Sequence, residues 1–600
     1  MQAGLLAAAL AALVYVNALD NPFVYDDHET VVANPSLVDP SNVRFVLVHS
    51  PFRPVVNVSY AIDRAIWGYR PFGFHLTNIL LHAIVVALLY VLLRHALADV
   101  RARRAAETAA TPRRKEKAAN REPRAAADGR TDAWAAFAGA TVFGVHPLMT
   151  EAVGYVSGRS EILCGVFVLA AILCARVAML GGQWHAGFAF GRRHGTVFGL
   201  ALAPVALLFG MLAVLSKEVA AVLPVLVLAY DWLLLPSTAE ARQWRLRFVF
   251  VPAIVLLGLG AIYRLSMASG PLSFEAPLSS LLTQAIVIWR YVGLVVWPVG
   301  QSIMHGVHRV VSVSDPRALV ALAALAAVAG AAFWLRRAQP LVAFGIVWFL
   351  AVIAPSSSII ALREGMAEHR AYLASAGVFM IVTAAAAAIA ARLAQQRRPM
   401  HAYAVALVAI VGALAALTYT RNEVWRSPAQ LWKEATVHAA GMWEPHYALA
   451  DTLREAGDCT AAIPEYEVVV RLRPEHRDAQ TNLGICLAEV NRFDEAEAAF
   501  RRALEIDPQF VRGYTNLGAL ALLNGQPERA RDFYERALEL ESRNVLARMQ
   551  LARIFETVFH DYHSAARMCG EARAIAPDTP DVAECVNRNQ KRAAARDAGR

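Results

Sequence analysis

The stretch NLGICLAEVNRFDEAEAAFRRALEIDP, from Asn482 to Pro508, returns 34 residues later as NLGALALLNGQPERARDFYERALELES over 516–542. The recurring positions include Leu483 and Leu517, Gly484 and Gly518, Ala496 and Ala530, and Ala503 and Ala537, and the aromatic Phe500 is matched by Tyr534. Stepping 34 residues further in each direction finds related residues, so about four units cover 443–578. Small and aromatic residues at fixed places in such a period predict one helix-turn-helix per unit.

This period and these positions are those of the tetratricopeptide repeat. Stacked repeats share one elongated core and form a solenoid with a concave groove, which commonly binds extended partners. We therefore expect a repeat domain over 443–600, preceded by a linker helix over 421–442 and closed by a capping helix after Pro580. Protein binding in the groove is the functional interpretation, and a passive structural tail is the alternative.

The sequence before the repeats is far more apolar. Hydrophobic residues make up 57% of the chain and charged residues 18%, where about 25% is usual for charged residues. This composition excludes a single soluble core and a disordered chain. Because roughly 20 apolar residues cross a bilayer as one helix, residues 1–420 are predicted to form a polytopic bundle of about eleven spans. The predicted spans are 3–19, 74–93, 133–149, 161–180, 196–215, 219–235, 248–265, 317–335, 341–355, 371–391 and 401–419.

Lysine and arginine in short loops predict the orientation. Loop 94–130 carries 11 basic and 5 acidic residues, a net charge of 11 − 5 = +6, and is expected in the cytoplasm. It contains no aromatic residue that could stack on bases, so nucleic-acid binding is not expected. A further apolar stretch, Leu281–Trp297, is either a span or an interfacial helix. The basic clusters all fall on the cytoplasmic side if this stretch does not cross, which places the amino terminus inside and the repeats outside. The outside is the periplasm for a bacterial inner membrane, or the lumen for the endoplasmic reticulum.

Acidic and basic residues gather at the predicted outer ends of the spans, in four clusters. Charged groups at membrane depth are costly and usually mark function. Each cluster also has a plainer interpretation: a solvated loop, a pair between Glu151 and Arg159, an ion pair in a tight turn, or a basic loop facing lipid headgroups. The clusters are Val24 to Glu29; His146 to Glu151 followed by Ser157 to Glu161; Ser216-Lys217-Glu218; and Pro355 to Ser358 followed by Arg363-Glu364 and Glu368 to Leu373.

Carboxylates and guanidinium groups on one side of a membrane bundle suit a lipid-phosphate donor. Asp26 or Asp27 would accept the proton of a hydroxyl that attacks a sugar carbon, through a transition state of oxocarbenium character. Arginine would hold the departing phosphate, because its planar fork offers paired donors.

These motifs resemble the transmembrane and tetratricopeptide-repeat O-mannosyltransferases, within the GT-C class of polytopic glycosyltransferases. The matching stretches are Tyr25-Asp26-Asp27 with Asn34-Pro35, Arg53-Pro54, 72–82, His146-Pro147, Thr150 to Val153, Gly158 to Glu161, Ser216-Lys217-Glu218 and Ala367 to Leu373, followed by the repeats. The resemblance implies transfer of a hexose, first of all mannose, from a polyprenyl-phosphate carrier to serine or threonine hydroxyls of proteins. One departure is His369: family members commonly have Ala-Glu-Arg before the tyrosine, where this chain has Ala367-Glu368-His369-Arg370. The Ala-rich bundle and the few repeats point to a bacterial member.

The residue assignments combine the clusters with this resemblance. They are Asp26, Asp27 and Glu151 as catalytic residues; Arg159, Lys217, Arg363 and Arg370 as donor-phosphate ligands; and His146, Glu218, Glu368 and His369 as supporting residues. No cofactor is required, and although a divalent metal is compatible with the carboxylates, no residue spacing indicates one. The expected partners are the polyprenyl-phosphate sugar, membrane lipid and a protein acceptor in the repeat groove.

Three other functions compete with this hypothesis. A membrane-anchored scaffold would use the repeats to recruit proteins, but an anchor needs no acidic and basic clusters at its span ends. A transporter would carry charges within its spans, whereas most charges here lie at the ends. A GT-C enzyme that glycosylates a glycan or a lipid would keep the chemistry and change only the acceptor.

Overall fold

The computed structural model describes residues 2–109, 122–180, 192–237, 239–251, 253, 255, 275–357, 364–396 and 400–598. Every regular element in these ranges is helical, as the sequence predicts. The chain divides into two compact units, Met1–Leu431 and Trp432–Arg600.

The first unit is a bundle of long apolar helices joined by short helical turns. Its α-helices are α1 (Gln2–Val14), α2 (Val43–His49), α3 (Pro54–Trp67), α4 (Pro71–Ala109), α5 (Glu122–Gly144), α6 (Thr150–Val153), α7 (Arg159–Met179), α8 (Arg192–Ser216), α9 (Leu223–Leu233), α10 (Ala239–Arg245), α11 (Glu275–Val296), α12 (Pro316–Leu335), α13 (Pro340–Ile353), α14 (Ala371–Gln395) and α15 (His401–Val424). A further helix, α16 (Pro428–His438), lies where the two units divide.

Six helical segments in the described residues are long and apolar enough to cross a membrane. Five of them contain the predicted spans at 74–93, 317–335, 371–391 and 401–419 and all but the last residue of 161–180. Shorter apolar helices stand at Gln2–Val14, Leu202–Ser216 and Pro340–Ile353, each overlapping one further predicted span. These segments support a membrane protein, and the full count of eleven stays a prediction.

Three predicted spans are not single helices. In the run 133–149, α5 ends at Gly144 and a 3-10 turn follows over Pro147–Met149. The run 3–19 breaks at Tyr15, because α1 ends at Val14 and a 3-10 turn follows over Val16–Asp20. The run 219–235 divides into a 3-10 turn and α9, whose 11 residues reach only about 16 Å at 1.5 Å per residue. Such a helix is too short to cross a hydrocarbon core of roughly 30 Å. Most of the run 248–265 lies outside the described residues.

Two arginines predicted to be cytoplasmic, Arg103 and Arg104, contact the carboxyl ends of helices at one end of the bundle. Arg103 Nη1 donates to the carbonyl oxygens of Trp232 and Leu233 at the end of α9, at 2.7 and 2.6 Å. Arg104 donates to the Ala338 carbonyl after α12, at 2.6 Å. Cations at the carboxyl ends of helices satisfy carbonyls that have no partner within the helix. We call this end of the bundle the basic end. The opposite end, where Asp26, Lys217 and His369 lie, is called the site end.

The stretch whose crossing was left open forms α11. Its length and apolar composition would allow a span, yet both of its halves contact segments at the site end. Gln284 donates to the Gly365 carbonyl at 2.8 Å, and the Val295 carbonyl lies 3.0 Å from His146 Nε2. These are the contacts of a helix that lies along the site end.

The second unit is a stack of helix pairs. The pairs are α17 (Trp443–Glu455) with α18 (Cys459–Leu472), α19 (Arg477–Glu489) with α20 (Phe493–Ile506), α21 (Val511–Leu523) with α22 (Pro527–Leu540), and α23 (Val545–Thr557) with α24 (Tyr562–Ile575), and α25 (Pro580–Ala598) packs last. Four helix pairs fall within the predicted repeat region 443–578, and the last helix lies where a capping helix is expected. The recurring glycine has a packing reason: a Cβ on Gly484 would lie 2.6 Å from the Phe500 ring, and one on Gly518 would lie 2.8 Å from the Tyr534 ring.

Two disulfides staple this unit. Cys569 and Cys585 are bonded, with Cα atoms 5.7 Å apart. Cys459 and Cys486 are also bonded, with Cα atoms 4.9 Å apart. This second bond joins neighbouring repeats, through the first residue of α18 and a residue inside α19.

Candidate active site

The acidic pair lies at the site end, in the loop between α1 and α2. Tyr25 has a φ of 52°, in the left-handed region that non-glycine residues rarely adopt. This conformation turns the chain so that the two carboxylates point to different surroundings. Asp26 is exposed and lines a cavity, whereas Asp27 is completely buried.

Asp27 is held by the turn that precedes α7. Its Oδ1 accepts hydrogen bonds from the amide and the hydroxyl of Ser157, at 2.8 and 2.7 Å, and its Oδ2 accepts from the Val24 amide at 3.2 Å. Burial raises the pKa of Asp27 to about 7, although these hydrogen bonds lower it. Asp27 therefore fixes the loop against the bundle and has no direct face on the cavity.

Asp26 is held through its backbone, which leaves its side chain on the cavity wall. Its amide donates to the Tyr155 hydroxyl at 3.1 Å, and its carbonyl accepts from the Thr30 hydroxyl at 2.8 Å. The Tyr155 ring is stacked on Trp425, with ring centres 5.6 Å apart. Packing of Tyr155 on Trp425 thus fixes the hydroxyl that accepts from the Asp26 amide and so positions the acidic loop.

The cavity has a volume of about 610 Å³ and opens at the site end. Its wall comes from stretches far apart in the sequence, and it brings together five of the predicted site residues. These are Asp26, Lys217, Glu218, His369 and Arg370. Other lining residues that the assignments did not include are Glu29, Thr30, His49, Arg53, Tyr155, Ser157 and Glu161.

Two cations of the cavity wall are paired with carboxylates of the wall. Lys217 Nζ contacts Glu161 Oε1, and both side chains are almost completely buried. Arg53 lies 3.2 Å from Glu218, with both side chains about half exposed. Burial raises the pKa of Glu218, but the Arg53 charge and other contacts more than offset this effect, so the pKa is held below its usual value.

Arg370 is the third cation on the wall. Its Nη1 donates to the Glu364 carbonyl at 2.9 Å, and its Nη2 lies 3.6 Å from the Glu364 carboxylate. The same carboxylate accepts from the Tyr25 hydroxyl at 2.9 Å. This chain of contacts ties the loop before α14 to the acidic loop. Arg363, a predicted phosphate ligand, lies outside the described residues.

Glu151 and His369 form a close pair beside the cavity. His369 Nδ1 lies 2.6 Å from Glu151 Oε1, and the His369 amide donates to Oε2 at 3.2 Å. Burial, together with the carboxylates of Glu368 and Glu364, raises the pKa of Glu151 well above its usual value. Glu151 does not line the cavity, and it acts on the cavity only through His369.

Arg159, a predicted phosphate ligand, is instead completely buried away from the cavity. Its Nη1 lies 2.6 Å from Asp63, its Nε donates to Asn78 at 2.7 Å, and its Nη2 donates to the Phe74 carbonyl at 2.8 Å. The alternative that it pairs with Glu151 is also wrong. Arg159 thus joins α3 and α4, and it lies away from the cavity where a phosphate would bind.

Two predicted supporting residues also lie away from the cavity. His146 caps the turn after α5, accepting from the Leu148 amide at 3.2 Å. Glu368 is buried and accepts from the Ser302 amide at 2.7 Å and from Gln301 Nε2 at 3.0 Å. Both residues therefore shape the loops around the site.

Sequence reasoning gave no role to Arg53, Glu161, Tyr155 or Ser157. Arg53 and Glu161 stand inside quoted motifs, so their motif membership was the signal available. Nothing in the sequence indicated that Ser157 meets Asp27, because 130 residues separate them. In the described residues no group of three or more His, Cys, Asp or Glu side chains is arranged to hold a metal ion.

Comparison with known proteins matches both parts of the chain. Tetratricopeptide-repeat family models match residues 447–509 and 499–532. Protein O-mannosyl-transferase TMTC4 of Mus musculus is 25% identical over 520 residues, which cover 77% of this chain and 66% of that protein. The Homo sapiens TMTC4 is 25% identical over 524 residues, covering 77% and 65%. The homologues of this chain are TMTC protein O-mannosyl-transferases. The resemblance read from the motifs is thus confirmed.

The match has limits of length. The chain spans about two thirds of the length of the TMTC4 relatives. Anaphase-promoting complex subunit 3 of Schizosaccharomyces pombe is 30% identical over 153 residues, 24% of this chain and 23% of that protein. Among solved structures, MamA of Desulfovibrio magneticus is 21% identical with a TM-score of 0.24, covering 25% of this chain and 85% of that one. Pseudomonas aeruginosa PilF is 20% identical with a TM-score of 0.26, covering 31% and 82%.

Proposed function

We propose that this protein is a membrane glycosyltransferase that moves a hexose from a polyprenyl-phosphate carrier to serine or threonine hydroxyls of proteins. Mannose is the expected hexose. The observation that carries this proposal is the cavity of about 610 Å³ that holds Asp26 together with Arg53, Lys217 and Arg370. A proton acceptor and several cations on one wall suit a reaction that deprotonates a hydroxyl and releases a phosphate. The names of the TMTC4 relatives agree with this reaction class.

Within this reaction Asp26 is the base. Its side chain is exposed on the cavity, where an acceptor hydroxyl can reach it. Asp27 is buried under Ser157 and serves to hold the loop. Catalysis by a positioned base is typically worth 10²–10⁴-fold, which sets the loss expected when Asp26 becomes an amide.

The donor phosphate belongs near Lys217 and Arg370. Both line the cavity, and both lie within reach of carboxylates that already orient them, Glu161 and Glu364. Arg53 is the more exposed cation of the wall, which suits a role in drawing in the anionic donor. No metal is invoked in this scheme.

The repeat array is proposed to hold the protein acceptor on the non-cytosolic side of the membrane. Two disulfides in this unit, Cys459–Cys486 and Cys569–Cys585, support that side, because disulfides persist in oxidising compartments. The two cysteines of the bundle, Cys164 and Cys174, are free. The basic end of the bundle supports the same orientation through the positive-inside rule. Removal of 443–600 is expected to impair transfer to a folded protein more than transfer to a short serine peptide.

The test is transfer by the purified full-length protein from a panel of labelled polyprenyl-phosphate sugars to a serine- and threonine-rich protein. Asp26→Asn is expected to lower transfer at least about 100-fold. The matched control is Asp39→Asn, since Asp39 is an exposed carboxylate of the same outer loop that does not line the cavity. Full activity of Asp26→Asn, or no transfer from any carrier sugar by the wild type, would overturn the proposal.

A further inference from the structure

The pair formed by Glu151 and His369 has a geometry that the proposed function leaves unused. Glu151 is 3% exposed, and its two oxygens meet the ring and the backbone amide of His369. The carboxyl group therefore fixes both the position and the rotation of the imidazole. The His369 side chain is 22% exposed and lines the same cavity as Asp26.

The two ring nitrogens of His369 differ in their hydrogen bonding. Nδ1 is occupied by Glu151, and within the described ranges no hydrogen bond is made by Nε2. The neighbouring cations on the wall are already engaged, Lys217 by Glu161 and Arg370 by Glu364. His369 is thus a proton-bearing group on the wall whose outer nitrogen is left for a ligand.

A polyprenyl-phosphate sugar needs such a group when its sugar leaves. The donor is a phosphate diester with one negative charge, and the leaving group is a monoester that gains a second charge. The second pKa of a phosphate monoester is about 6, so a proton delivered as the bond breaks stabilises the departing oxygen. Delivery by a positioned side chain is general acid catalysis.

We propose that His369 is the general acid that protonates the departing phosphate, with Glu151 as its positioning and proton-supplying partner. This inference rests on the proposed function and assigns a residue that differs from the pattern common in the family. The carboxyl proton of Glu151 lies on the short hydrogen bond to Nδ1, so Nε2 carries the hydrogen that faces the cavity. The pair as a whole holds the proton that is transferred.

The step balances as follows. The acceptor oxygen forms a bond to the sugar carbon while its proton moves to the Asp26 carboxylate. The bond between that carbon and the phosphate oxygen breaks, and its electron pair stays on the oxygen. The Nε2 proton of His369 moves to that oxygen, and the Glu151 proton moves to Nδ1. Glu151 ends as a carboxylate and Asp26 as an acid, and exchange with water restores both.

The charges around the ring fit this role. Burial, together with the charges of Lys217 and Arg370, lowers the pKa of His369 to about 3, although Glu161 and Glu364 raise it. The imidazole is therefore neutral, and the extra proton of the pair lies on Glu151. Glu368, the neighbour in sequence, faces the 301–305 loop and bonds Ser302 and His305. The proton therefore belongs to the Glu151–His369 pair, and its titration is a property of both residues.

The experiment compares the pH dependence of kcat in His369→Gln and wild type, with a polyprenyl-phosphate mannose donor and a protein acceptor. Wild-type kcat is expected to fall on the alkaline side as the pair loses its proton. His369→Gln is expected to lower kcat about 100-fold, to change the donor KM less than threefold, and to lack that alkaline limb. Glu151→Gln should show a loss of similar size, because the amide supplies no proton.

The matched control is His305→Gln. His305 also pairs with a buried carboxylate, Glu368, at 2.8 Å, but it does not line the cavity. Its substitution should leave the alkaline limb in place. A second variant, His369→Ala, should regain activity when imidazole is added, which loss of packing alone would not allow. The assignment would be overturned, with the proposed function intact, by an unchanged alkaline limb in His369→Gln. Failure of imidazole to rescue a His369→Ala protein that is folded and inserted in the membrane would overturn it too. No transfer by the wild type would overturn both.

Discussion

Replacing Asp27 with asparagine is expected to change how stability depends on pH. Asp27 is fully buried, and burial raises its pKa from the ordinary 3.8 to about 7. A raised carboxyl pKa contributes stability that is present below the ordinary value and is lost as pH rises through the raised value. Wild type therefore loses stability between about pH 4 and pH 7, whereas the amide of the variant does not titrate.

The size of the effect follows from the shift. One pKa unit corresponds to 1.36 kcal/mol, so the full shift of Asp27 is worth about 4 kcal/mol. Between pH 4.5 and pH 7.5 the unfolding free energy of Asp27→Asn should rise by about 3 kcal/mol relative to wild type. At low pH the variant should be the weaker protein, because an amide donor would face the Val24 amide that now donates to Oδ2.

The assay is thermal unfolding of both purified proteins in one detergent at several pH values. As pH rises, the Tm of Asp27→Asn should increase by several degrees relative to the Tm of wild type. Asp39→Asn, on the exposed part of the same loop, serves as the control and should give a constant difference. A Tm difference between Asp27→Asn and wild type that stays the same from pH 4.5 to pH 7.5 would refute the reasoning.

Three further substitutions test the framework. Gly345→Ala should destabilise the bundle strongly, because the new Cβ would clash with the Gly377 carbonyl oxygen where α13 meets α14; a Tm equal to that of wild type would contradict this packing. Cys459→Ser should cost about 3.5 kcal/mol by loop entropy, since the bond to Cys486 closes 27 residues, and urea unfolding with and without reductant measures it. Arg159→Gln should lower the unfolding free energy by about 3–5 kcal/mol, because it strands a buried carboxylate; a stable protein with only a raised donor KM would restore the phosphate role.

The repeat half was predictable because its signal is local and repeated. Gly484 lies beside Phe500, and Gly518 lies beside Tyr534 in the next repeat. Because the same residues recur at the same spacing, a prediction made for one repeat is supported by the next. The bundle has no such internal check. Hydropathy detected its apolar runs, but it did not detect the break at Tyr15 or the short helix α9.

The sequence predicted which segments form the candidate site, but it did not predict which side chains of those segments face the cavity. The clusters containing Asp26, Lys217 and His369 do meet at one cavity. Sequence could not tell which way each side chain turns, because that depends on packing with distant helices. Arg159 and Glu368 stand in the same motifs as cavity residues, yet both are buried in contacts with other helices and loops.

The division of labour between the two adjacent aspartates follows from the backbone. Two adjacent carboxylates in the same surroundings would be equivalent proton acceptors. The positive φ of Tyr25, a conformation that costs roughly 1–3 kcal/mol, instead sends Asp27 under Ser157 and leaves Asp26 on the wall. Hydrogen bonds to Asp27 and from the Asp26 amide to Tyr155 offset that cost. Asp26, the proposed base, is therefore positioned by its buried neighbour, so a substitution at Ser157 should affect transfer through Asp27 as well as through the part of Ser157 that lines the cavity.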